Sequence, residues 1–292
     1  MLELYQNEGT LTNISDDLDS SEMNRTSISR THINKTKPFT QTNPYDVSNF
    51  PSVFDQDYFN EFIKTYSQLD SILILKAADG IVEFGKIIQK ISQNKQQIQV
   101  DAQNFKTKLI SVIAAPKKQI AQMTIYIYTH NSFLYKEMNK ALREQDKTKA
   151  CIGYYAFLLS LSLTFLANQS EYKPYDGPLF RGVFLTEEQK LQYIKAFQGI
   201  NSETRERNSF NYFTWHGFIS STKILSKALK FGNTLFIISF DKIHPIEVEK
   251  YSFFPKGSEV LFLNRVHCTI KDIKYIGEFM VIQVFLTQNL GI

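Results

Sequence analysis

The sequence predicts an α+β protein in which a helical segment precedes a set of strands. Two observations carry this: apolar residues recur at helical spacing between residues 57 and 167, and after Pro178 short runs rich in Phe, Ile, Val and Thr alternate with turn residues. Helices first and strands afterwards argues for largely antiparallel pairing, because parallel strands need a crossover, usually helical, between them. At 292 residues, 43% of them hydrophobic, the chain can bury a core without a metal or a disulfide framework.

Residues 1–55 are dominated by Ser, Thr, Asn, Asp and Gln with no helical or strand period, so burial would not offset the entropy of ordering them, and a disordered tail is expected. A helical region is expected over 56–118. Its first part shows Phe59, Phe62, Ile63, Tyr66, Leu69, Ile72 and Leu73 at spacings of three and four, then Ile81, Phe84, Ile87, Ile88 and Ile91. The Gln-rich stretch 93–99 and Pro116 bracket a further helix over 93–118. A catalytic-sized domain is expected over 119–292, with a helix at 135–143. The segment 151–167 carries no charge. It is short for a membrane span and places Ser160, Ser162 and Thr164 at alternate positions, which favours a buried core helix. Strands are expected at 179–185, 217–222, 234–240, 259–263 and 278–286, with one helix at 226–231.

Charge and cysteine content narrow the class. Residues 1–35 hold six acids and three bases, so the remainder carries +7 of an overall +4. That suits an anionic small molecule as well as a polymer, and no Lys/Arg run of the kind found in nucleic-acid tails is present. Cys151 and Cys268 make neither a disulfide framework nor a zinc spacing, and the acidic first twenty residues do not read as a secretory signal, so a cytoplasmic location is expected. The adjacent pair His267 and Cys268 would point to opposite sides of a strand. No Gly-rich phosphate loop and no metal-ligand cluster is legible in the sequence.

Three polar residues sit inside apolar strand runs, where a core-facing side chain is costly: Arg181 in Leu-Phe-Arg-Gly-Val, Ser220 in Gly-Phe-Ile-Ser-Ser-Thr, and Glu259 in Gly-Ser-Glu-Val-Leu-Phe. Taken singly they read first as an edge charge, a turn hydroxyl and a solvent-facing carboxylate. Their order and flanks say more. Arg181-Gly182, then Trp215-x-Gly-Phe-x-Ser-Ser-Thr, then Tyr251-Ser-Phe-Phe-Pro-x-x-x-Glu-Val-Leu resembles the Arg, Ser-Thr-Ser, Glu series of the arginine-type mono-ADP-ribosyltransferases. Ile125-Tyr-Ile-Tyr-Thr-His and Tyr135-Lys-Glu-Met-Asn-Lys-Ala-Leu-Arg are similar to that family's helical lead-in, so the resemblance spans about 120–286.

The resemblance implies two antiparallel sheets forming a cleft for NAD+, which is the substrate, with no metal and a still unidentified acceptor protein. No nucleic acid and no membrane partner is implied. Glu259 would stabilise the oxocarbenium-like transition state formed as nicotinamide leaves the ribose. Ser220 would orient that carboxylate, and Arg181 would grip the phosphate and ribose region with a planar fork of donors. Gly182, Ser221 and Phe231 would complete the dinucleotide site. For Gly182 a tight turn is an equal reading, and for Phe231 and Trp215 a place in the core is the commoner one.

Gly257 stands where the arginine-specific branch has a glutamate two residues before the catalytic one, which alters the acceptor subsite. Lys256 beside it would repel a cationic acceptor. Glu247 and Glu249 are the nearest other acids. Transfer of ADP-ribose to a protein side chain is thus the expected activity, with NAD+ glycohydrolysis and non-catalytic NAD+ binding as its alternatives.

Overall fold

A computed structural model describes residues 69–144, 146–169, 175–198, 212–241, 245–264 and 266–287. The expected tail at 1–55 and the start of the helical region lie outside the described residues. The remainder of that region opens with α1 (Ser71–Gln89), whose first turn is capped by the Asp70 carboxylate accepting from the Leu73 N–H at 2.7 Å. Leu73, Ile74, Ala77, Ile81, Phe84 and Ile88 form its buried stripe. Gly80 lies in that stripe because a Cβ there would come within 2.2 Å of the Cys151 carbonyl oxygen.

The helix expected over 93–118 forms with a loop at each end, and the next helix begins at residue 117. Helix α2 (Lys95–Ser111) ends before Pro116, which caps α3 (Lys117–Thr129) with a φ of −54° suited to a helix start. Helix α4 (Phe133–Glu144) and a 3-10 turn (Lys147–Ile152) lead into α5 (Gly153–Ala167). The stretch Lys147–Ala167 is long and apolar enough to cross a membrane, with a mean hydropathy of 1.8 over its most apolar window. Half of that window is buried inside the protein, with Tyr155, Leu158, Leu159, Leu163 and Leu166 in the helical core. The hydroxyls of Ser160 and Ser162 bond back to the carbonyls of Ala156 and Leu158, at 3.0 and 2.7 Å, so they do not strand polar atoms.

Among the described residues the second half supplies eight strands: β1 (Leu179–Val183), β2 (Tyr212–Trp215), β3 (Ile219–Thr222), β4 (Thr234–Phe240), β5 (Ile246–Glu247), β6 (Glu259–Phe262), β7 (Val266–Ile276) and β8 (Phe279–Thr287). Between them lie α6 (Glu187–Phe197), then α7 (Leu225–Ala228) with its 3-10 extension Leu229–Phe231. The architecture is α+β. The strands form one hydrogen-bonded ladder in the order β2-β7-β8-β4-β1-β3-β6-β5, in which only the β4–β8 pair is parallel. That ladder has a weak joint: β1 and β3 are paired at Phe180↔Thr222 alone.

Period-2 alternation divides the sheet between two cores. Val260 and Phe262 of β6 and Ile219 of β3 face a core shared with α6 and strands β1, β4, β7 and β8. Leu261 faces the helical core of α1 to α5 together with Phe218, Ile246 and Val248. Glu259, two residues from Leu261, therefore begins β6 on the helical side. The helical core runs without a break from Leu69 to Leu166, so residues 118 and 119 lie within one layer of packed helices.

Candidate active site

The site is assembled by strand register. In the β3–β6 pair Thr222 stands opposite Glu259 and Ser220 opposite Leu261, which puts Ser220, Thr222 and Glu259 on one face with Ser220 diagonal to the acid. The Ser220 hydroxyl donates to Glu259 Oε1 at 2.5 Å. Ser252 Oγ reaches the other oxygen, Oε2, at 3.3 Å, and because this hydroxyl already accepts from the Phe254 N–H at 3.0 Å, its one proton is directed at the carboxylate. Glu259 is only 5% exposed. The result is a carboxylate held out of bulk water with both oxygens fixed.

The loop that delivers Glu259 is itself pinned. Val248 N–H donates to the Glu259 carbonyl at 3.0 Å, and the Tyr251 and Ser252 N–H groups both return to the Val248 carbonyl at 2.8 Å. Phe253 N–H donates to Thr129 Oγ1 at 2.9 Å, and the Phe253 ring lies 4.2 Å from that of His130, so the end of α3 braces the loop. Ser258, immediately before Glu259, has φ +48° and is the one non-glycine residue with positive φ among the described residues. A non-glycine residue in this left-handed region stores local strain, of the order of 1 kcal/mol.

Arg181 meets the same strand from the other side. Its Nη1 donates to the Ser220 carbonyl at 2.6 Å, bridging β1 and β3 just where their pairing stops. There a cleft of about 230 Å³ opens, lined by Arg181, Arg143, Tyr193, Trp215, Phe218 and Phe236 among others. Glu259 and Ser220 do not line that cleft; they stand behind the Arg181 bridge. Two guanidinium groups beside aromatic walls suit an anionic, ring-bearing ligand. Burial, and then the neighbouring Arg181 cation, lowers the pKa of Arg143. Tyr128 completes the surroundings: its phenol is pushed well above the usual range by burial, then by Tyr135, against the opposing Asn139 hydrogen bond, with Glu259 adding to the rise and Arg181 reducing it.

The structure brings together Arg181, Ser220 and Glu259, and it places the other expected residues differently. Ser221 faces away from the carboxylate, its hydroxyl bonded to the Val260 carbonyl at 3.1 Å. What approaches Gly182 is the chain's own backbone: a Cβ there would lie 1.7 Å from the Ala228 carbonyl oxygen and 3.1 Å from Phe231 Cβ, so the glycine seats α7 on β1. Phe231 belongs to neither core and is 40% exposed on the rim. Trp215 has both places, packing edge-on against Phe213 and Phe236 while lining the cleft. Gly257 has no positive φ, and a Cβ would meet nothing closer than the Phe254 carbonyl oxygen at 3.3 Å.

Four contributing residues were not singled out by the sequence. Ser252, Tyr128 and Arg143 are described above. The fourth is Asn139, which donates to Tyr128 Oη at 2.9 Å and accepts from Phe218 N–H at 2.9 Å, fixing the turn that enters β3. A buried asparagine on the apolar stripe of α4 is the signal that could have found it.

No protein-family model matches the sequence, and no curated protein matches it at the required significance. The chain is similar in fold to a solved bacterial effector. This is the type III effector XopAI from Xanthomonas axonopodis pv. citri, with a TM-score of 0.51 at 12% identity over 86% of this chain and 97% of that one. Lower-scoring similarities include the ADP-ribosyltransferase HopU1 of Pseudomonas syringae pv. Tomato DC3000, at TM-score 0.49 and 15% identity over 66% of this chain and 87% of that one. The eucaryotic mono-ADP-ribosyltransferase ART2.2 aligns at TM-score 0.42 and 15% identity, over 72% and 86% of the two chains.

Proposed function

We propose that this chain is an NAD+-dependent mono-ADP-ribosyltransferase acting on a protein. The observation that carries the reading is the carboxylate of Glu259, held by the hydroxyls of Ser220 and Ser252 behind a cleft that Arg181 and Arg143 make cationic. Ligand pockets run to about 300–1,000 Å³, so a cleft of about 230 Å³ seats part of a dinucleotide and the rest extends over the rim. The guanidiniums of Arg181 and Arg143 would take the diphosphate, and the aromatic walls a ring.

In the reaction the bond between ribose C1′ and the nicotinamide nitrogen breaks, and nicotinamide leaves with the bonding pair as a neutral pyridine. Positive charge then spreads over C1′ and the ring oxygen, as in glycoside cleavage. The Glu259 carboxylate stabilises that charge by accepting from a ribose hydroxyl. The acceptor's nucleophilic atom forms the new bond to C1′ and releases its proton to solvent. Removing one preorganised electrostatic group of this kind lowers kcat by about 10²–10³.

Incubation with NAD+ and candidate acceptor proteins, with nicotinamide followed by chromatography and adducts by mass, tests the reading. Glu259→Gln should slow nicotinamide release about 10²–10³-fold at unchanged folding. Absence of nicotinamide release from the wild type refutes it. A second reading, NAD+ glycohydrolysis, is favoured by Gly257, which leaves no acid to position a guanidinium, and by Lys256 beside it. Free ADP-ribose equal to nicotinamide, whatever acceptor is added, would establish that outcome.

A further inference from the structure

Two segments meet beside Glu259: residues 223–231, which follow β3, and residues 251–258, which lead into β6. They are joined directly. Lys227 Nζ donates to the Lys256 carbonyl, and Thr222 Oγ1 donates to the Gly257 carbonyl at 3.3 Å. Together these segments contain Lys223, Lys227, Lys230 and Lys256 and not one Asp or Glu. Of the four, Lys223 is neutralised by an ion pair with Glu247 at 2.6 Å. The adjacent Glu259 is buried, with its charge directed at hydroxyls inside. Three lysine charges therefore remain on the rim, beside the exposed apolar side chains Ile224 and Phe231.

From this placement we infer that the rim is a docking surface for an acidic protein, so that ADP-ribose is delivered to a residue lying within an acidic surface and not to an arginine in a basic one. The inference rests on the proposed transferase reading and names its substrate class. Opposite charge steers the encounter and suppresses wrong partners, since like charges brought together are penalised. A guanidinium acceptor would have to approach past Lys227, Lys230 and Lys256 with only a glycine at 257 to meet it. Ile224 and Phe231 give an acidic partner the apolar contact that charge alone does not supply.

The test uses the full chain, a fluorescein-labelled acidic Glu/Tyr copolymer, a labelled poly-arginine and a labelled single-stranded DNA, with binding read by anisotropy. Nicotinamide release without acceptor is measured in parallel. The acidic copolymer should bind most tightly, weakening as salt is raised, and Lys230→Glu with Lys256→Glu should lower its affinity about tenfold or more. That double variant should release nicotinamide at the wild-type rate. Tighter binding of DNA, tighter binding of poly-arginine, or unchanged affinity in the variant overturns the inference. Loss of nicotinamide release from the wild type would sink the transferase reading instead, and the binding result would still judge the rim.

Discussion

The two hydroxyls on Glu259 are not equivalent, and their difference can be measured. Ser220 donates at 2.5 Å from a paired strand, whereas Ser252 donates at 3.3 Å from a loop. A hydrogen bond to a charged group is worth about 1.5–3 kcal/mol, while a long one falls nearer 0.5–1 kcal/mol. At 1.36 kcal/mol per factor of ten, Ser220→Ala should lower the rate of nicotinamide release about 10- to 150-fold and Ser252→Ala only about 2- to 5-fold. Each substitution is repeated in a Glu259→Ala background, with kcat and KM for NAD+ measured by nicotinamide release. If the hydroxyls act by orienting the carboxylate, both effects should vanish once it is gone. An undiminished Ser220→Ala effect in that background would refute the orienting role, as would a Ser252→Ala loss exceeding that of Ser220→Ala.

Other consequences follow from single contacts. Gly182→Ala puts a Cβ 1.7 Å from a backbone oxygen and should destabilise by about 3 kcal/mol, lowering Tm by roughly 6–12 °C. Gly257→Ala, with 3.3 Å available, should change Tm by under about 3 °C, and calorimetry compares the two. Arg181→Lys cannot bond the Ser220 carbonyl and a ligand oxygen together, so kcat/KM for NAD+ should fall about 10- to 150-fold. Burial, opposed by Asp101 and reinforced by Lys108, holds the pKa of His130 below 6.5. The unfolded chain therefore binds this proton first, so the stability His130 contributes is complete above pH 6.5 and is lost as pH falls through its folded pKa. A Tm series from pH 7.5 to 5 should decline less steeply for His130→Phe than for the wild type.

How far the sequence could be read depended on whether the signal was local. The apolar stripe of α1, the turn-bounded run of β4 and the glutamate opening β6 were all legible from spacing and composition. Elements that were not include α6, β7, β2 and the two-residue β5. The start of α6 is marked by the short Thr186-x-x-Gln189 capping box, both of whose reciprocal bonds form, at 2.9 and 3.3 Å. Strand β7 alternates Val266, Cys268 and Ile270 with His267, Thr269 and Lys271, but a bulge between Ile270 and Asp272 breaks the period midway. Strand β2 has four residues, too few for a period to declare itself. At the site, Arg181, Ser220 and Glu259 stood out as polar residues in apolar strands. Ser252, Asn139 and Arg143 did not, because what makes them contribute is a partner more than five residues away or on another element. Gly182 shows the same limit: a glycine reports that something comes close, without saying whether it is a ligand or the chain itself.

The helices are part of the site and not a preface to it. Since β6 alternates, Leu261 enters the helical core and Glu259 must face the same layer, so the carboxylate's surroundings are set by α3 and α4 as much as by the sheet. Thr129 holds the Phe253 N–H, His130 packs at a tilt against the Phe253 ring, and Asn139 holds the Phe218 N–H two residues before Ser220. Each of these contacts joins the helical layer to one of the two segments that position the Ser220–Glu259 pair. In the strand ladder those segments join the rest of the sheet through the single Phe180↔Thr222 pairing, supplemented by the Arg181 bridge and by Ile219, Val260 and Phe262 in the shared core. A displacement of α3 or α4 would therefore move the carboxylate relative to the cleft before it disturbed the strands β4, β7 and β8. Substitutions along this helical face should change nicotinamide release while leaving the far half of the sheet intact, because the Ser220–Glu259 geometry is fixed across the layer boundary and the sheet's own stability is fixed within it.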